Sequence, residues 1–117
     1  MRATAEDVAI AKAVNAQHRD AGVAFLQAAA ALHNDPFLVC TRAHESDTAG
    51  GYQAYNSSGP WYGAYQFLQS TWNSTAIHAG VPSLAGAYIL NVNGFWQDAM
   101  AMHLYQWQGK APWGGRC

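Results

Sequence analysis

Four prolines, Pro36, Pro60, Pro82 and Pro112, limit where regular structure can run. Each removes a backbone donor and restricts the residue before it. Each stands where hydrophobic periodicity changes, so together they mark element boundaries. The spacing predicts a helix over 4–33, with Thr4 as cap and an apolar stripe of Ile10, Val14, Ala21, Phe25, Ala28 and Leu32. Asp35 and Pro36 suit the N-cap and first position of a second helix reaching about Asp47. Residues 52–67 are aromatic and alternating around Asn56-Ser57-Ser58-Gly59-Pro60, the pattern of a hairpin with a long turn. Ser70 is expected to cap a third helix that ends at Gly80. Residues 95–108 read as the last helix, with Trp96, Met100, Leu104 and Trp107 on one face and Gly109 as its stop. Residues 83–94 carry no clear period. The expected class is α+β, mostly helical, with one small hairpin and a long N-terminal helix. Residues 1–35 are read as a helical extension and 36–117 as the domain that carries the site.

Length and composition close off several functions. A chain of 117 residues holds one core. Half the residues are hydrophobic, 11% are charged and the net charge is −1, which argues against disorder. Six Lys and Arg, thinly spread, form no basic stripe for a nucleic acid. No uncharged apolar run approaches the roughly 18 residues that suggest a membrane span. The stretch from Met1 to Asp7 lacks the apolar core of a signal peptide. Cys40 and Cys117 fit one disulfide or two separate thiols, and the count alone does not decide. Carboxyl groups are scarce. Beyond Asp35 only Glu45, Asp47 and Asp98 remain, so acid chemistry there has three candidates.

The patterns are then weighed one at a time. His44-Glu45 begins like a zinc-protease motif, but Thr48 stands where the second histidine should be, and the pattern fails. Cys40 and His44 share a helix face, yet nucleophilic Cys–His pairs usually come from different elements. Seven of the fifteen aromatic residues fall between Tyr52 and Trp72, more than a short hairpin buries. Rings with polar tips on a cleft wall suit an amphipathic, neutral ligand such as a sugar. Glu45 sits at a helix end just before that hairpin. An acid that protonates a glycosidic oxygen needs apolar surroundings that raise its pKa, and the hairpin is placed to supply them. Arg42, one turn earlier, would oppose this, or would simply pair with Glu45 on a solvated face. Pattern alone leaves both open.

Several of these residues form a longer motif. Cys40, then His44-Glu45-Ser46, then Tyr62-Gly63-Ala64-Tyr65-Gln66-Phe67-Leu68-Gln69-Ser70-Thr71-Trp72, then Trp113-Gly114-Gly115-Arg116-Cys117 resemble the resuscitation-promoting-factor domain of actinobacteria. That domain is a small relative of lysozymes and soluble lytic transglycosylases. The resemblance covers about 36–117 and leaves 1–35 outside it. It implies a lysozyme-like fold with Glu45 as the catalytic acid. It also implies Gln66 and Thr71 as substrate contacts, Trp72 as a structural or cleft-floor ring, and a Cys40–Cys117 disulfide. Asp47, Tyr52 and Tyr65 complete the expected binding set. Two departures stand out. The family cysteine usually directly precedes the glutamate, whereas here Cys40 is five positions away, and Leu68 replaces an acid that many members carry.

The implied reaction is cleavage of the β-1,4 bond between N-acetylmuramic acid and N-acetylglucosamine in peptidoglycan, with no cofactor or metal. The implied setting is secreted or cell-envelope, with the leader already removed, and a monomer is expected. Hydrolases use two carboxyl groups, about 5–5.5 Å apart when retaining and about 6.5–9.5 Å apart when inverting. On a helix Asp47 faces away from Glu45, and Asp98 is expected at a surface or helix start. One carboxyl acting first as acid and then as base fits a lytic transglycosylase better. The alternative is a glycan-binding module that kept the fold without the chemistry.

Overall fold

The computed structural model describes residues 27–47 and 50–117. Contacts divide the chain into two units, Met1–Ala31 and Leu32–Cys117, and the second carries every element named below. Most of the predicted 4–33 helix lies outside the described residues, of which 27–33 are helical. The second unit is an α+β domain of helices with one small antiparallel hairpin.

Helix α1 spans Pro36–Ser46. The Asp35 side chain accepts from the backbone N–H groups of Phe37 (2.9 Å) and Leu38 (3.3 Å), satisfying two donors that the first turn leaves open. Leu38 and Thr41 face inward, and the Thr41 hydroxyl donates to the Phe37 carbonyl. The hairpin pairs β1 (Tyr55–Asn56) with β2 (Trp61–Tyr62), placing Tyr55 opposite Tyr62 and Asn56 opposite Trp61. In its turn the Asn56 side chain accepts from the Ser58 N–H, the local bond that favours asparagine there.

Helix α2 spans Gln69–His78 and begins two residues earlier than Ser70 allows as a cap. Leu68 takes the capping position, with its carbonyl accepting from Trp72 N–H, so Ser70 lies inside the first turn. The C-terminal signal is clearer. Gly80 adopts φ +77° and donates to the Ile77 carbonyl, while Val81 donates to that of Ala76, which is the Schellman arrangement. The segment without a period folds into two 3₁₀ turns, Pro82–Leu84 and Ile89–Asn91, that bury Ile89.

Helix α3 spans Gly94–Gln108 and is capped by the Asn93 side chain on Trp96 N–H. Its inward face is Gln97, Asp98, Met100, Ala101 and Leu104. This corrects the expected stripe: Trp107 is 40% exposed, because two buried polar residues turn the helix toward partners described below. The core joins Leu38, Tyr65, Phe67, Trp72, Ile89, Met100 and Leu104 with Trp113. Phe37 stacks on Tyr105 at 3.9 Å, closing α1 against α3.

The C-terminal tail is held at three points. The Trp113 indole N–H donates to the Tyr65 carbonyl (3.0 Å), Lys110 donates to the Cys117 carbonyl (2.7 Å), and Cys117 is bonded to Cys40 with Cα atoms 6.0 Å apart. Among the described residues no helix is long and apolar enough to cross a membrane.

Candidate functional site

The end of α1 is set against the hairpin by Ser46, which is buried and donates to the Ala64 carbonyl at 2.8 Å. On the far side of that contact Gln97, also buried, accepts from Ala64 N–H (3.0 Å). Its amide nitrogen donates to the carbonyls of Tyr52, Ile89 and Val92. Gly63 packs so closely on Gln97 that a Cβ would collide with its side-chain oxygen, and its φ of +81° suits glycine as well. The segment leaving β2 is therefore fixed on both sides.

That segment doubles back between Tyr62 and Phe67, whose backbones exchange two hydrogen bonds of 2.9 Å each. At its apex Gln66 sits at φ +53°, the one non-glycine among the described residues in the left-handed region. Holding a glutamine there costs on the order of 1–3 kcal/mol, and such strain persists where surrounding contacts over-determine it. The Gln66 side chain bonds the Gly63 carbonyl at 2.9 Å, which keeps it folded over the turn.

Glu45 and Gln66 line one cleft of about 370 Å³ together with Asn56, Trp61, Trp113 and Arg116. It adjoins a second compartment of about 360 Å³ that shares Trp61, Gln66, Pro112 and Trp113 and adds Tyr65, Leu68 and Thr71. Gln66 thus lines both compartments, Glu45 the first and Thr71 the second, with Trp61 and Trp113 at their shared border. Burial pushes the Glu45 carboxyl above its ordinary pKa, while Arg116 and then His44 pull the other way. Arg42 does not pair with Glu45. Its guanidinium donates instead to the Tyr65 hydroxyl (2.8 Å) and the His33 carbonyl (2.7 Å).

Arg42 belongs to a polar hub centred on Asp98. The Asp98 carboxyl accepts from the hydroxyls of Tyr52 (2.7 Å) and Tyr65, with Arg42 at 3.5 Å and the His33 ring at 3.3 Å. Asp98 is 2% exposed, which corrects the expectation of a surface residue. Both phenols are driven far above their usual pKa, first by burial and then by the bond to Asp98, so they remain donors. The hub locks α1 one turn before Glu45 and locks the hairpin exit one residue before Gln66.

The remaining expected contacts lie elsewhere. Tyr65 contributes its ring to the second compartment, but its hydroxyl is taken by the hub. Asp47 and Tyr52 line a separate depression with Arg42. Trp72 is fully buried, its N–H donating to the Leu84 carbonyl at 2.9 Å, so it supports the groove from beneath. The His44 ring lies within 4.8 Å of both cysteine sulfurs, but the disulfide leaves no thiolate there for a metal.

Read from the sequence, Arg116, Asn56 and Pro112 had places in a motif, a turn and a boundary, but not in the site that they line. Arg116 had a usable signal: it precedes a cysteine whose partner lies five residues before Glu45 on the same helix, so a bridge carries it to that helix. No family model, curated protein or solved structure matches the chain.

Proposed function

We propose that the chain is a lysozyme-like peptidoglycan glycosidase that cuts the β-1,4 bond after N-acetylmuramic acid, with Glu45 as its acid. The observation that carries this reading is the groove itself. A carboxyl with a raised pKa shares it with a strained glutamine, and the exposed Trp61 indole lines it as a surface for a sugar ring. Protonated Glu45 gives its proton to the glycosidic oxygen, and the leaving sugar departs as positive charge builds on the ring.

The second half of the reaction follows from the carboxyl inventory. Among the described residues, Asp35 caps α1, Asp98 is enclosed by the hub, and Asp47 opens on another face. None lines the groove beside Glu45. With no second carboxyl beside it among the described residues to activate water, Glu45 takes back a proton from a hydroxyl of the substrate, which closes on its own sugar ring. That is lytic transglycosylation. The reading extends to a monomer in the cell envelope or outside the cell. It is tested by the clearing of cell-wall suspensions by the unsubstituted chain and by Glu45→Gln.

A pH profile supplies a second test. The acid works only while protonated, so clearing falls as pH rises through the Glu45 pKa. Arg116 favours the charged form, so removing it raises that pKa further. Arg116→Ala is therefore expected to move the alkaline limb of the initial rate, measured at low wall concentration, to higher pH. A limb that stays in place or moves down would show that Arg116 does not set the acidity of Glu45.

One observation favours a binding module without catalysis. Leu68, 40% exposed, lines the second compartment where the resembling family often has an acid. That alternative gives wall binding with no released fragments.

A further inference from the structure

The groove continues past Thr71. Its second compartment shares Thr71 and Gln108 with a shallower one of about 180 Å³ between α2 and α3, which adds Ser70, Ser74 and Trp107. No residue lining either stretch is charged. The charged residues Glu45 and Arg116 are confined to the opposite end.

Trp107 is exposed, yet it is held in place. The His78 ring stacks on its indole with centroids 3.8 Å apart and planes within 8°. His78 in turn shares a 2.7 Å hydrogen bond with His103, so the end of α2 and the middle of α3 are tied through the stack. A fixed aromatic face beside exposed hydroxyls from Ser70 and Ser74 suits a pyranose, which offers C–H groups on one face and hydroxyls at its edge. A ring already held loses little freedom on binding, which favours affinity. With no charge along the stretch, its contacts suit the neutral ring and hydroxyl groups of a sugar unit.

We infer that this stretch is a second sugar-binding region, in which Trp107 stacks on one sugar unit of an extended β-1,4-linked glycan whose other end lies at Glu45. The inference rests on the glycan reading of the Glu45 groove and deepens it. The strand is gripped over several units on the Thr71 side, so a long chain binds better than a short one.

The test uses calorimetric titration of the full chain carrying Glu45→Gln, with the neutral β-1,4-linked N-acetylglucosamine dimer and hexamer as probes. Adding Trp107→Ala is expected to weaken hexamer binding about tenfold, the scale of one lost stacking contact, and to leave the dimer unchanged. Trp107→Phe, which keeps a ring, should restore most of the difference. An unchanged hexamer affinity in Trp107→Ala overturns the inference. So does an equal loss for dimer and hexamer, or a hexamer that does not bind at all. Wall clearing by the unsubstituted chain is scored separately. Clearing together with Trp107-independent binding removes the second region and leaves the Glu45 reading intact. Trp107-dependent binding without clearing does the reverse.

Discussion

Glu45→Gln is expected to lower the rate of wall clearing by about 10²–10⁴-fold, the usual contribution of a positioned acid, with little change in stability. The substitution keeps the size and polarity of the side chain but removes the proton that the leaving oxygen needs. Glu45 makes no ion pair within 4.0 Å among the described residues, and its helix is anchored by Ser46 and Arg42 rather than by Glu45 itself. The fold therefore has little reason to suffer. Circular dichroism and thermal unfolding of the variant should overlay those of the parent. Clearing that persists in Glu45→Gln at the parental rate would remove Glu45 from the chemistry.

Asp98→Ala is expected to destabilise the domain by about 3–5 kcal/mol, the cost of removing one partner from a buried charged cluster. Two phenolic hydroxyls and the Arg42 guanidinium lose an acceptor at once, in a site where water does not readily replace it. Arg42 is only 17% exposed on its side chain, so its charge is left poorly solvated. Against a total stability of roughly 5–15 kcal/mol for a domain this size, that is a severe loss. Urea unfolding measures it directly. A change below about 1 kcal/mol would mean that the hub is ornamental and that the Gln66 turn is positioned by Gln97 and Ser46 alone.

Much of this architecture was readable in the chain. Asp35-Pro36 and Gly80 act through local backbone chemistry, and a sequence states such signals almost completely. The hairpin was legible for the same reason, since its turn residues bond to one another. Orientation was harder. The inward face of α3 looked apolar through Trp96 and Trp107, yet Gln97 and Asp98 face the core because their partners come from elements up to 65 residues away. Periodicity counts apolar side chains and is blind to a buried polar residue whose partners are remote. The same limit applies to the candidate site. Glu45, Gln66 and Thr71 were singled out by motif; Glu45 and Thr71 line adjoining clefts, and Gln66 lines both. Tyr52 and Trp72 belong to the same aromatic cluster, but one is drawn to Asp98 and the other to the core. Their destinations depend on tertiary packing that neighbouring residues do not encode.

The central claim is that one carboxyl, working alone, cleaves a glycan strand in this groove. Mass spectrometry of fragments released from purified peptidoglycan tests it most directly. Fragments ending in 1,6-anhydro-N-acetylmuramic acid are expected with the unsubstituted chain and not with Glu45→Gln. Fragments with reducing ends would contradict the single-carboxyl mechanism, and no fragments at all would contradict cleavage itself.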